Sequence, residues 1–162
     1  MSEFFCDTSP LQYLHQLKLL HILPALTKTI VVPPAVLKEL EEGKKLGLDL
    51  PNLNDFNWIT VRQPLSISAL PLVINLGAGE TEVLMLALES KDSIVILDDG
   101  LARRIAKSRK IKLTGTLGLL IDAKNADLIS TVEPWLNKLQ ILGFRLASHT
   151  RIEVLKIVNE LP

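Results

Sequence analysis

A near-continuous apolar run, Ser93-Ile94-Val95-Ile96-Leu97, stops abruptly at Asp98-Asp99-Gly100. Such a run belongs in a buried parallel sheet, and open parallel sheets bind ligands at the carboxyl ends of their strands. Two adjacent carboxylates at that position repel each other beside a low-dielectric core. A divalent cation removes the repulsion, and hard cations such as Mg²⁺ prefer carboxylate oxygen and water. The same tripeptide is also ordinary turn chemistry, so the pair alone leaves both readings open. Further acids narrow the choice. Asp7 follows the short apolar run Phe4-Phe5-Cys6, and Glu80 follows Gly77-Ala78-Gly79 in a first helical turn, where the helix dipole favours the ionised form. Glu39 lies among Val36, Leu37 and Leu40, near a core boundary. Glu82, two residues after Glu80, points to a different face. Glu41 and Glu42 read as a solvated face, with Glu41 spaced to pair with Lys45.

The second chemical feature is basic. Residues 103–112 contain six lysines and arginines and no acid. Arg103, Lys107 and Lys110 share a helical face by their spacing. Because the segment follows Asp99, Arg103, Arg104 and Lys107 are candidates to guide a phosphate backbone toward the acids, against the alternative of a plain solvated face. Other chemistries fit less well. Gly77-Ala78-Gly79-Glu80-Thr81-Glu82 resembles part of a dinucleotide fingerprint, but its third glycine is replaced by Glu82, and two carboxylates there repel a pyrophosphate. His15, His21 and His149 are not placed near the acids, and they read as surface or partly buried helix residues. Cys6, in a strand candidate, reads as buried packing.

The elements that must position these groups alternate in type. Strands are expected at Phe4–Cys6, Thr29–Val32, Trp58–Val61, Ser93–Leu97 and Ile111–Thr114. Helices are expected from Pro10 through Leu20, at Ala35–Lys45, Glu80–Ser90 and Leu101–Lys110, from Gly115-Thr116 onward, at Val132–Leu142 and at Arg151–Leu161. Residues 47–57 read as turn-rich, and 63–75 as loop with a short helix. Strands separated by helices imply right-handed crossovers and a parallel sheet covered on both faces.

Composition bounds the class. At 162 residues and 48% hydrophobic, the chain has the size of one domain with a sizeable core, so residues 1–162 are expected to form one unit with 115–162 as its helical C-terminal part. Eighteen basic residues balance eighteen acidic ones, which excludes coating of nucleic acid by bulk charge. A single cysteine excludes an intramolecular disulfide framework and a thiolate zinc site. No apolar run approaches the ~18 residues of a membrane span, and Met1-Ser2-Glu3-Phe4 lacks a basic leader, so a cytoplasmic location is expected. Aromatic residues are only 4%, which argues against base stacking as the main mode of recognition; Trp58 and Trp135 read as core or interface residues. The leucine-rich helices leave room for a homodimer or a helical partner.

The order Asp7-Thr8-Ser9, Glu39, Glu80, Asp98-Asp99 resembles the PIN-domain superfamily. Leu76-Gly77-Ala78-Gly79-Glu80-Thr81-Glu82 and Leu97-Asp98-Asp99-Gly100-Leu101-Ala102-Arg103 are similar to a bacterial and archaeal, VapC-like subgroup. Gly115-Thr116-Leu117-Gly118-Leu119-Leu120 through Gly143-Phe144-Arg145-Leu146 is similar to that subgroup's tail, so the likeness covers essentially the whole chain. The resemblance implies a three-layer α/β/α sandwich with a mainly parallel sheet and a carboxylate-lined cleft for Mg²⁺ or Mn²⁺. Asp7, Glu39, Glu80 and Asp99 or Asp98 then become the acidic quartet, with Asp99 favoured by spacing and Ser9 or Thr8 as the nearby hydroxyl. It also implies ribonuclease activity on RNA, including toxin-like enzymes paired with an antitoxin-like protein. A weakly catalytic module binding RNA or protein is the alternative. A haloacid-dehalogenase-like phosphatase needs Asp-x-Asp after its first strand, and Ser9 stands at the second Asp.

Overall fold

The computed structural model describes residues 2–65 and 75–162. Five strands, β1 (Glu3–Cys6), β2 (Ile30–Val32), β3 (Ile59–Val61), β4 (Ser93–Ile96) and β5 (Lys112–Thr114), form one sheet in the order β3-β2-β1-β4-β5. Every pairing is parallel. The helices among the described residues are α1 (Thr8–Gln16), α2 (Ile22–Thr27), α3 (Pro34–Lys45), α4 (Ala78–Glu89), α5 (Gly100–Ser108), α6 (Thr116–Asn125), α7 (Glu133–Ile141) and α8 (Ser148–Ile157). They flank the sheet, giving the expected three-layer α/β/α sandwich. Ile30, Val31 and Val32 are all buried, as a strand covered on both faces requires. α4 buries Val83, Leu84, Met85, Leu86 and Ala87 in succession, so it is enclosed nearly all round by β1, β4, α3 and α5. Trp58 and Trp135 pack against the core. No helix among the described residues is long and apolar enough to cross a membrane.

Three expectations are corrected. The leucines from 11 to 20 keep helical spacing, yet the helix stops at Gln16 and α2 begins afresh at Ile22. Lys18 turns left-handed at φ +61°, its N–H donates to His15, and the Leu19 N–H reaches back to Leu14. That pair of bonds is the Schellman closure. The same closure recurs around Gly47, Lys110, Asp127, Gly143 and Asn159, all at positive φ. Second, α8 spans Ser148–Ile157 rather than Arg151–Leu161, because Asn159 ends it and frees Glu160 to turn back. The Glu160 carboxylate accepts from the Val132 and Glu133 N–H groups at the start of α7 and from Lys124. Third, Glu41 pairs with Lys44 at 3.6 Å, one residue earlier than its spacing to Lys45 suggested. The ambiguous stretch 63–75 lies largely outside the described residues.

Candidate active site

The register of β1 on β4, with Cys6 opposite Ile96, brings Asp7 beside the Leu97-Asp98 end of the neighbouring strand. The Asp7 N–H continues the ladder by donating to Ile96 at 3.1 Å. Its side chain is only 3% exposed, and its Oδ1 has no hydrogen-bond partner among the described residues. Burial pushes the Asp7 pKa up to about 8; the Glu80, Glu39 and Asp98 carboxylates push the same way, against a hydrogen bond from the Thr8 backbone. Glu80, at the opening of α4, is also raised, first by burial and then by Asp99 and Glu39, with backbone hydrogen bonds opposing. Glu39, on α3, accepts from the Thr8 hydroxyl at 2.8 Å.

Asp98 is the most firmly held acid of the cleft. It accepts from the Ser9 hydroxyl at 2.8 Å, the Thr116 N–H at 2.8 Å and the Thr116 hydroxyl at 2.7 Å. Asp99 caps α5 by accepting from the Ala102 N–H at 2.9 Å. Two glycines permit this crowding. A Cβ on Gly79 would collide with Glu39 and come within 2.7 Å of Asp7 Oδ1, and one on Gly115 would come within 2.9 Å of Asp98 Oδ1. Glu82 does face elsewhere: it accepts from the Ala35 N–H at 2.7 Å, capping α3.

Asp7, Ser9, Glu80, Asp98 and Asp99 line one cleft of about 390 Å³; Glu39 is not part of that lining but stands beside Gly79, close enough to push the Asp7 pKa up. Three other cleft residues, Tyr13, Phe144 and Arg145, were not singled out as site residues. Nor was Thr116. Both Thr116 and Arg145 lie in the stretches that resemble the subgroup's tail, but neither carries a local signal that ties it to the acids.

The basic segment does not form one strip beside the acids. α5 leaves the cleft at Gly100 and returns antiparallel to the strands, so Lys107 lies ~10 Å along the helix from that end. Lys110 is beyond the helix in a left-handed turn and cannot share a face with Arg103 and Lys107. Arg109, Lys110 and Lys112 line a separate hollow with Lys91 and Asp92, at the amino ends of β4 and β5. Arg103 turns its guanidinium to the Leu97 carbonyl at 2.8 Å and supports the strand end. Arg104 is exposed near the start of α5. His15 is bonded to Asp49 on the surface, away from the acids.

The donor set, carboxylates with two hydroxyls, suits a hard cation. Among the described residues no three acids, histidines or cysteines stand grouped as direct ligands of one ion. Mg²⁺ keeps several waters and is typically bound through one or two carboxylates plus substrate phosphate, so the orphaned Asp7 Oδ1 and its acidic neighbours fit such an ion.

The architecture is an all-parallel sandwich with acids gathered at the ends of its central strands. The sequence model of a PIN-domain family matches residues 3–160, and the chain belongs to that family. A comparison with curated proteins gave no match.

Proposed function

We propose that this protein is a metal-dependent ribonuclease that hydrolyses phosphodiester bonds of RNA at the cleft of Asp7, Glu80, Asp98 and Asp99, with Glu39 behind. The observation that carries the reading is Asp7: a carboxylate 3% exposed, with an unpartnered oxygen, facing further acids. An uncompensated buried acid is costly, and a folded protein tolerates it where something else supplies the charge balance. Asp7 and Glu80 are the residues to hold Mg²⁺ or Mn²⁺, and when bound such an ion polarises a phosphoryl oxygen and acidifies a water. Asp98, fixed by three donors, keeps its carboxylate in place between Ser9 and Thr116. The Thr8 hydroxyl orients Glu39, and Asp99 doubles as helix cap and cleft wall.

The test is cleavage of labelled RNA by the purified full chain with Mg²⁺ or Mn²⁺, abolished by EDTA and by Asp7→Asn. Full metal-dependent activity in Asp7→Asn would overturn the site. The second reading, a weakly catalytic module that binds RNA or protein, draws on the protein hydroxyl and amide groups that already donate to Asp98 and Glu39. It requires binding that survives both chelation and Asp7→Asn. A toxin-like role adds a small antitoxin-like partner, to be sought as growth arrest on expression that a neighbouring gene relieves.

A further inference from the structure

Beside the acidic cleft runs a second groove of about 460 Å³, within the ~300–1,000 Å³ range of ligand sites. It lies between the end of β5, the start of α6 and the connector from α7 to α8, and shares Asp98, Phe144 and Arg145 with the cleft. The two are neighbours with that wall in common. Leu113, Leu117 and Phe144 supply apolar wall, while Arg103, Arg145 and Thr150 supply polar groups.

Three arginines, Arg104, Arg109 and Arg145, have no side-chain partner among the described residues, and of these Arg145 alone lines the cleft and the groove. Arg62 is paired with Glu3, Arg151 is bonded to Gln140 and Asn137, and Arg103 supports Leu97. Arg145 is exposed and has no hydrogen bond or ion pair among the described residues, although it lines a cleft full of carboxylates. Those carboxylates repel an approaching phosphate. A cation at the divide between cleft and groove offsets that repulsion at the place where a substrate strand would enter. Its neighbour Phe144 is half-buried and held edge-on to Tyr13, with ring centroids 5.0 Å apart at 87°. Gly143, at φ +96°, closes α7 and turns the chain so that Phe144 and Arg145 follow at the shared wall.

We propose that this groove seats the nucleotide flanking the scissile phosphate of an unpaired RNA strand, Arg145 meeting its phosphate and Phe144 its base. The proposal rests on the ribonuclease reading of the cleft. The strand is unpaired because a base inside a duplex is stacked and cannot enter a groove between helices. A fixed aromatic gives sequence-tolerant contact, since every base presents a π-face.

The experiment combines steady-state cleavage with crosslinking. Wild type, Arg145→Ala, Arg145→Lys, Phe144→Leu and the surface control Lys156→Ala are assayed on single-stranded RNA with Mn²⁺. RNA binding by each of these proteins, and photo-crosslinking of thiouridine-substituted RNA to the wild type, are measured in EDTA. Arg145→Ala should raise KM about tenfold with little change in kcat and lower the salt slope of binding by about one, with partial rescue in Arg145→Lys. Phe144→Leu, which keeps an apolar side chain for the core, should weaken binding ~5- to 100-fold. Crosslinks should fall within 143–150, and Lys156→Ala should behave as wild type. Metal-dependent cleavage with unchanged KM in Arg145→Ala and Phe144→Leu overturns the groove and leaves the nuclease reading standing. Crosslinks at 143–150 without any cleavage keep the groove and overturn the nuclease reading. Neither binding nor cleavage overturns both.

Discussion

Asp7 titrates near 8 in the folded protein and at its ordinary 3.8 when unfolded, chiefly because folding buries it. Between those values the folded state holds a proton that the unfolded chain has lost. Stability in chelator should therefore fall as pH rises from about 4 to about 8, by at most about 1.4 kcal/mol per pH unit. Glu80, raised in the same direction, adds to the trend. Urea midpoints at several pH values should show the slope in the wild type and lose most of it in Asp7→Asn; an unchanged slope would place the titration elsewhere. Thr116, fully buried, gives a second prediction: Thr116→Val removes one of three donors to Asp98 and should cost about 1 kcal/mol by the same measurement. At this scale much of the cleft was legible, because Asp7, Glu80 and Asp98-Asp99 each follow a strand end or open a helix. The partition between Asp98 and Asp99 was not. Spacing favoured Asp99, whereas the fold locks Asp98 to Ser9 and Thr116 and gives Asp99 to a helix cap, a division set by the fifth strand's neighbour rather than by local sequence.

The helices end in a way their sequences conceal. Lys18, Lys110, Asp127 and Asn159 occupy left-handed backbone that costs a side chain roughly 1–2 kcal/mol and glycine little. Lys18→Gly, at an exposed position, should raise the thermal midpoint by a few degrees, equivalent to about 1 kcal/mol, and Lys18→Val should lower it. Equal midpoints would mean that the Schellman closure is not under that strain. Leucine periodicity passed through the break after Gln16 because core-facing spacing reports which side is apolar, not whether the backbone is continuous. The displaced end of α8 has a comparable cause: Glu160 leaves the helix to cap α7 from 27 residues away, a partner that no local window contains.

Across the whole molecule, zero net charge resolves into separated fields. The acids meet at the carboxyl ends of β1 and β4, and a basic hollow of Lys91, Arg109, Lys110 and Lys112 sits at the opposite end of the sheet. Joint neutralisation of Lys110 and Lys112 to alanine should leave metal-dependent cleavage unchanged, while Arg145→Ala raises KM; a large loss from the far-end pair would show that substrate wraps round the molecule. The parallel architecture was readable from Ile94-Val95-Ile96-Leu97, since such a run needs cover on both faces. The split of the basic segment was not, because it depends on α5 running back against the strands.

The central pairing of β1 with β4 joins Glu3 to Ser93, and Asp98 is completed only by Thr116. During synthesis the first acid of the cleft therefore waits for most of the chain to emerge before its neighbours arrive. The nascent polypeptide cannot carry the assembled cleft while its own message is still being read through that region. Whatever chemistry the acids perform begins only once translation has moved well past the residues that started it.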